Sequence, residues 1–146
     1  MTKAIYFDMD GTIANLYAVE GWLADLEAYR TRPYAKAKVM LNMNTLAKLI
    51  HRAQKSGIKV GVISWLSKTA TADYNKAVTR AKLKWLKEHL GSVQFDEIHI
   101  IPYGTPKSTV APKGSILFDD EERNRKEWRG NAYPPEKIFE IFKEIC

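Results

Sequence analysis

Asp8 and Asp10 close the first apolar run of the chain, flanking Met9 in "YFDMDGT", and Gly11 and Thr12 follow at once. Carboxylates this close repel each other, and at the mouth of a buried strand the repulsion costs stability unless a cation offsets it. A second acidic pair, Asp119 and Asp120, ends another apolar run in "SILFDD", and a third run, "VGVIS", ends on the hydroxyl of Ser64. Carboxylates gathered from two strand ends, with positions left for water and a phosphate oxygen, suit Mg²⁺, which takes hard oxygen ligands and few protein contacts. A carboxylate held beside such a metal can attack phosphorus and form an aspartyl-phosphate. A carboxyl two residues further on can protonate the leaving oxygen and later activate water. Gly11 lets the backbone turn so that amide N–H groups face the phosphate. Ser64 can donate to a phosphoryl oxygen while a lysine holds the remaining charge. Singly, "DGT" is an ordinary turn and "DD" an ordinary helix cap. Turns alone do not explain acid pairs at two strand ends with a hydroxyl at a third.

The elements that must position these groups follow from the apolar pattern. Residues 3–8 read as a buried strand. Val19 to Tyr29 reads as a helix through Trp22, Leu23, Leu26 and Tyr29, and Pro33 breaks the pattern after it. A second helix is expected after Asn44 as its N-cap, with a stripe of Leu46, Leu49, Ile50 and Ala53, closed by Gly57. Ile58 to Ser64 is apolar at nearly every position, the mark of a strand buried on both faces. A long helix is expected from about Asp73 to Leu90, a strand over Glu97 to Ile101, a loop rich in proline and glycine, the strand "SILFDD" and a last short helix "EKIFEIFKEI". Strands alternating with helices predict an α/β fold: a Rossmann-like parallel sheet with helices on both faces. Ligands then bind beyond the carboxyl ends of the strands, where Asp8, Asp10, Ser64, Asp119 and Asp120 lie. Residues 13–41 interrupt the rhythm and are expected to form a minimal cap over the strand ends, within one domain spanning 1–146.

The bulk numbers agree with a globular domain: 146 residues, 45% hydrophobic and 27% charged. No apolar run reaches the ~20 residues that span a bilayer, so no membrane partner is expected. The start shows no signal-peptide pattern, and Cys146 has no partner cysteine in the chain, which together fit a cytoplasmic setting. His51, His89 and His99 are scattered, so no Cys/His metal cluster is expected. The net charge of +6 favours anionic ligands, small phosphate esters and nucleic-acid ends alike. Lys82 lies on an apolar line between Val78 and Leu86, one helical turn to either side, where a lysine either snorkels or meets an anion; Lys113 and Lys84 compete with it.

"DMDGT", "VGVISWLSK" and "SILFDDEE" resemble motifs one, two and four of the haloacid dehalogenase (HAD) superfamily of phosphohydrolases. Within it, the order "KLKWLKEHLG", "EIHII", "TPKSTV", "SILFDD" is similar to that of the 5′(3′)-deoxyribonucleotidases, over nearly the whole chain except the cap. The resemblance implies Asp8 as nucleophile and Mg²⁺ ligand, and Asp10 as general acid/base and a metal ligand through its backbone carbonyl. It implies Asp119 as the remaining metal ligand, with Asp120 behind it. It makes Ser64 a phosphate donor and Lys82 the lysine that pairs with phosphate and nucleophile, with Lys68 and Lys107 as further phosphate contacts. Leu16 stands where that family has an aromatic, and Trp65 replaces a residue beside the motif-two hydroxyl; both are expected at the substrate. "SWL" in place of "TSP" removes one hydroxyl, and "YGTPKST" lacks an arginine found near that lysine in the family. Tyr17, Trp22 and Tyr34 can supply stacking from the cap. The expected activity is a Mg²⁺-dependent phosphatase, with a nucleoside 5′-monophosphate, a deoxyribonucleotide, as substrate. Removal of a terminal phosphate from a polynucleotide is one alternative, and a catalytically idle anion- or partner-binding protein is another.

Overall fold

The computed structural model describes residues 4–68 and 70–146. Lys3, expected in the first strand, and Thr69, in the loop after "VGVIS", lie outside the described residues.

A five-stranded parallel sheet runs in the order β5-β4-β1-β6-β7: β1 (Ala4–Phe7), β4 (Lys59–Trp65), β5 (Glu97–Ile101), β6 (Ile116–Phe118) and β7 (Asn131–Tyr133). The central β1 lies between β4 and β6, so the strand ends carrying Asp8, Ser64 and Asp119 are neighbours. β7 was not expected. It is three residues long, and its side chains carry too little alternation to announce a strand; its backbone pairing to β6 makes it one.

Alternate residues of each strand face opposite layers. Ile5, Phe7, Val60, Val62, Ile116 and Phe118 pack with α3 (Met43–Lys55), α4 (Ala72–His89) and α6 (Ile138–Ile145) in the main core. Phe7, Phe118 and Phe142 stack there, with ring centroids 5.5–6.0 Å apart. The other face, with Tyr6, Ile63 and Leu117, is closed by Trp128, Val110 and Ala111. This thinner layer comes from the loop after β5, the 3₁₀ turn Lys107–Val110 and the short α5 (Glu122–Glu127).

Residues 13–41 leave and rejoin this body through a narrow neck. β2 (Ala14–Asn15) pairs antiparallel with β3 (Lys38–Val39), so the insertion's two ends are zipped together. Between them lie a 3₁₀ turn (Leu16–Ala18), α1 (Trp22–Glu27) and α2 (Arg32–Lys36). α4 holds the insertion down through Tyr74 Oη, which donates to Arg30 O at 2.7 Å, and Trp85 Nε1, which donates to Ala37 O at 2.8 Å.

Local boundaries correct three expectations. α1 is shorter than 19–29 because Gly21 and Tyr29 both adopt positive φ, +74° and +59°, which a helix interior excludes. Pro33 does not break a helix but sits in the first turn of α2, where the missing N–H has no intrahelical acceptor to lose. The cap of α3 is Asn42, whose side chain accepts from Thr45 N at 3.0 Å; Asn44 lies inside the first turn.

Candidate active site

Met9 is 1% exposed and turns into the core, so its neighbours Asp8 and Asp10 face the cavity beyond the strand ends. The chain then reverses at Gly11, whose φ of +84° is left-handed. A Cβ at Gly11 would stand 2.3 Å from Asp120 Oδ2, so the close approach of the two acidic turns requires glycine twice over. Thr12 follows. Its Oγ1 lies 3.1 Å from Asp8 Oδ2 and 3.3 Å from Asp120 Oδ1, and it accepts from Asp120 N at 3.2 Å. This one hydroxyl stitches the first strand's turn to the β6 turn.

Across the turn, Asp119 is fully buried. Glu121 N donates to its Oδ1 at 3.0 Å, and Asn124 Nδ2 to its Oδ2 at 3.1 Å. Carboxylate oxygens of Asp8, Asp119 and Asp120 all lie within 4.8 Å of one another. Burial, and then the neighbouring Asp8 charge, push the Asp119 carboxyl up to about 6 and Asp120 up to about 8. Three hard oxygen donors crowded until their own charges are penalised are the donor set that fits Mg²⁺. Asp120 therefore stands with Asp8 and Asp119 rather than behind them, contrary to the sequence expectation. The Gly11 turn leaves room for its side chain to point inward. The Asp10 carboxylate turns away from this trio.

The two buried lysines divide the work differently from the expectation. Lys107 Nζ donates to Asp8 Oδ1 at 2.8 Å and to Asp119 Oδ2 at 2.7 Å. These carboxylates raise the Lys107 ammonium against the opposing effect of burial. Lys82, expected to pair with Asp8, instead donates to Asp10 Oδ2 at 2.9 Å, Ser64 Oγ at 2.5 Å and Trp65 O at 2.7 Å. The reason is position. α4 packs behind the end of β4, where Ser64 and Trp65 lie, whereas the 3₁₀ turn after β5 brings Lys107 between β1 and β6. Burial pushes the Asp10 carboxyl upward and Lys82 opposes it.

Above these groups opens a cavity of about 520 Å³. Its floor carries Asp8, Asp10 and Lys107, and its walls include Leu16, Tyr17, Trp22, Leu26, Tyr34, Trp65 and Tyr103. Leu16 is buried, and Tyr17 and Trp22 meet edge to face at 4.9 Å. Trp65 is braced by Tyr103 at 5.0 Å, lies under Lys107 Nζ at 5.6 Å, and donates from Nε1 to Thr105 O at 2.7 Å. Lys68 is exposed on the rim. Ser64 is fully buried beneath Lys82. Lys113 and Lys84, the competing lysines, are exposed, and Lys84 pairs with Glu88. Thr12 and Asn124 were not singled out from the sequence. "DGT" held the signal for Thr12, while nothing local marks Asn124, which reaches Asp119 only because α5 folds back.

No helix among the described residues is long and apolar enough to cross a membrane. No family model matches the chain, and no curated protein matches it. Among solved structures it is similar to the crystal structure of D,D-heptose 1,7-bisphosphate phosphatase from Burkholderia thailandensis. The TM-score is 0.51 at 16% identity, over 86% of this chain and 70% of that one. The chain thus has the same Rossmann-like α/β fold as that phosphatase.

Proposed function

We propose that the protein is a Mg²⁺-dependent phosphomonoesterase acting through an aspartyl-phosphate on Asp8, with a nucleoside 5′-monophosphate as substrate. The observation that carries this reading is the cavity itself: Asp8, Asp10 and the buried Lys107 lie at its floor, Asp8 is one of a trio of carboxylates with Asp119 and Asp120 next to it, and the insertion supplies Tyr17, Trp22 and Tyr34 to its wall. Asp8, Asp119 and Asp120 would hold the metal, which when bound draws charge from the phosphoryl oxygens. Lys107 holds Asp8 Oδ1 and Thr12 lies against Oδ2, so the carboxylate is oriented through both oxygens for attack on phosphorus. As the bond from Asp8 to phosphorus forms, the bond from phosphorus to the ester oxygen breaks, and that oxygen takes a proton from Asp10. Water then attacks the same phosphorus, gives its proton to Asp10, and releases phosphate and the Asp8 carboxylate. The sum is ester and water in, alcohol and phosphate out.

The wall argues for the leaving group. Tyr17, 45% exposed, and Trp22 meet edge to face in the cavity wall, and exposed aromatic rings there are the side chains on which a base stacks. A screen of ribo- and deoxynucleoside monophosphates, a generic aryl phosphate and a phosphorylated oligonucleotide, with Mg²⁺ and with EDTA, tests the reading. Turnover of mononucleotides that EDTA abolishes and Mg²⁺ restores supports it. Turnover confined to the oligonucleotide, falling steeply with salt, refutes the substrate class. No turnover on any ester refutes the reaction.

A further inference from the structure

Lys82 is 1% exposed, on a helix whose other charged residues face outward. Stripping an ammonium of water costs several kcal/mol unless its protons find acceptors. Here all three do: Asp10 Oδ2, Ser64 Oγ and Trp65 O, at 2.9, 2.5 and 2.7 Å. The Tyr34 ring of α2, also buried, lies 5.1 Å from the same nitrogen and closes its remaining side. No proton of Lys82 remains for a phosphate. Asp10 lines the cavity, and among the described residues no donor takes its other oxygen, Oδ1.

We infer that Lys82 is a positioning residue for Asp10: it grips Oδ2 so that Oδ1 faces the leaving oxygen, and Tyr34 of the insertion seals the grip. The same ammonium also holds Ser64, whose oxygen accepts from Lys82 beneath the cavity. Lys82 thus joins the insertion, α4 and the first-strand turn at one nitrogen. This inference rests on the phosphomonoesterase reading above.

The test is leaving-group dependence. Nitrophenyl phosphate departs as a stable phenolate and needs little protonation, whereas benzyl phosphate, of similar shape, departs as an alkoxide and needs a well-placed acid. In the first chemical step, positioning of Asp10 matters for the second ester alone, whereas hydrolysis of the aspartyl-phosphate is common to both, so the readout is the single-turnover rate of alcohol release. Lys82→Met is expected to lower that rate on benzyl phosphate by ~100-fold or more, the scale of general acid catalysis, and on nitrophenyl phosphate by less than ~10-fold. The ester concentration that half-saturates this rate should stay within about 3-fold for both, since no phosphate contact is removed. In an Asp10→Asn background, Lys82→Met should add less than about 3-fold, because both changes act on one group. Equal losses on the two esters, a raised half-saturating concentration with the rate kept, or full multiplicativity with Asp10→Asn overturns the inference while leaving the phosphatase reading intact. A wild-type protein inert toward both esters overturns the reading and the inference together. If Lys82→Met fails to fold, Lys82→Arg keeps a buried cation whose planar fork cannot serve the same three acceptors. It should show the same contrast at smaller amplitude, and equal losses in it overturn the inference too.

Discussion

Replacing Asp120 by asparagine should make the metal-free protein more stable while removing its activity. Burial and the charges of Asp8 and Asp119 push the Asp120 carboxyl from 3.8 to about 8. A carboxyl with a raised folded pKa destabilises the fold above its unfolded pKa and has no such effect below it. At pH 7 the unfolded chain is ionised at this position and the folded chain is not. At about 1.4 kcal/mol per pH unit, the gap between 3.8 and 7 sets an upper bound of about 4 kcal/mol. The side chain is partly open to solvent and shares its charge with two neighbours, so about 1–3 kcal/mol is the expected gain. For a chain of this size that is roughly 3–9 °C in Tm. The assay is thermal unfolding of wild type and Asp120→Asn in EDTA from pH 4 to pH 8. The variant's advantage should open as pH rises from about 4. Adding Mg²⁺ should raise the Tm of wild type and leave Asp120→Asn nearly unmoved, because ligand that binds only the folded state stabilises it. A variant less stable than wild type at pH 7 in EDTA would refute the reasoning, since Asp120 would then contribute more by contact than it costs by charge.

Other outcomes follow from single contacts. Gly11→Ala places a methyl on the Asp120 carboxylate at a left-handed φ, so it should lose more than about 2 kcal/mol in chemical unfolding and most of its Mg²⁺ response. Trp65→Phe keeps the ring against Tyr103 but loses the bond to Thr105 O, and should lower stability by about 1 kcal/mol and loosen the loop carrying Lys107, visible as faster amide exchange there. Asp25 is gripped by Arg32 at 2.7 Å and Arg30 at 3.3 Å, Arg32 first, and its carboxyl is held below the ordinary range. Its contribution is therefore present above the unfolded value near 3.9 and lost as pH falls through the lowered folded value. Wild type should exceed Asp25→Asn in Tm at neutral pH, with the two curves converging only below about pH 4; curves that coincide throughout would contradict this.

Much of this architecture was legible in the residues. Gly57 marks the end of α3 with a φ of +86°, and the unbroken apolar run of β4 marks an interior strand with a helix layer on one side and Trp128 on the other. Parallel strands bring their carboxyl ends to one edge, so the meeting of Asp8, Ser64 and Asp119 followed once β1 took the centre. The lysines were less legible. Periodicity set Lys82 on an apolar line of α4 and so indicated that it is buried, but not which carboxylate it meets. Lys107 sits in a loop of prolines and glycines whose path no local rule determines, and only the fold brings it to Asp8, 99 residues away in sequence. Asn42 and Asn44 are equivalent as caps by type, and the choice between them depends on where α3 begins against the sheet.

The central claim, that Asp8 carries the phosphoryl group, is tested most directly by trapping it. Asp10→Asn should slow the release of phosphate by water more than the first step with nitrophenyl phosphate, which needs little acid help. Acid-quenched Asp10→Asn protein, digested and read by mass spectrometry, should carry one phosphoryl group on the peptide containing Asp8, and Asp8→Asn should carry none. Turnover without any adduct at Asp8, or an adduct on another residue, would contradict the account.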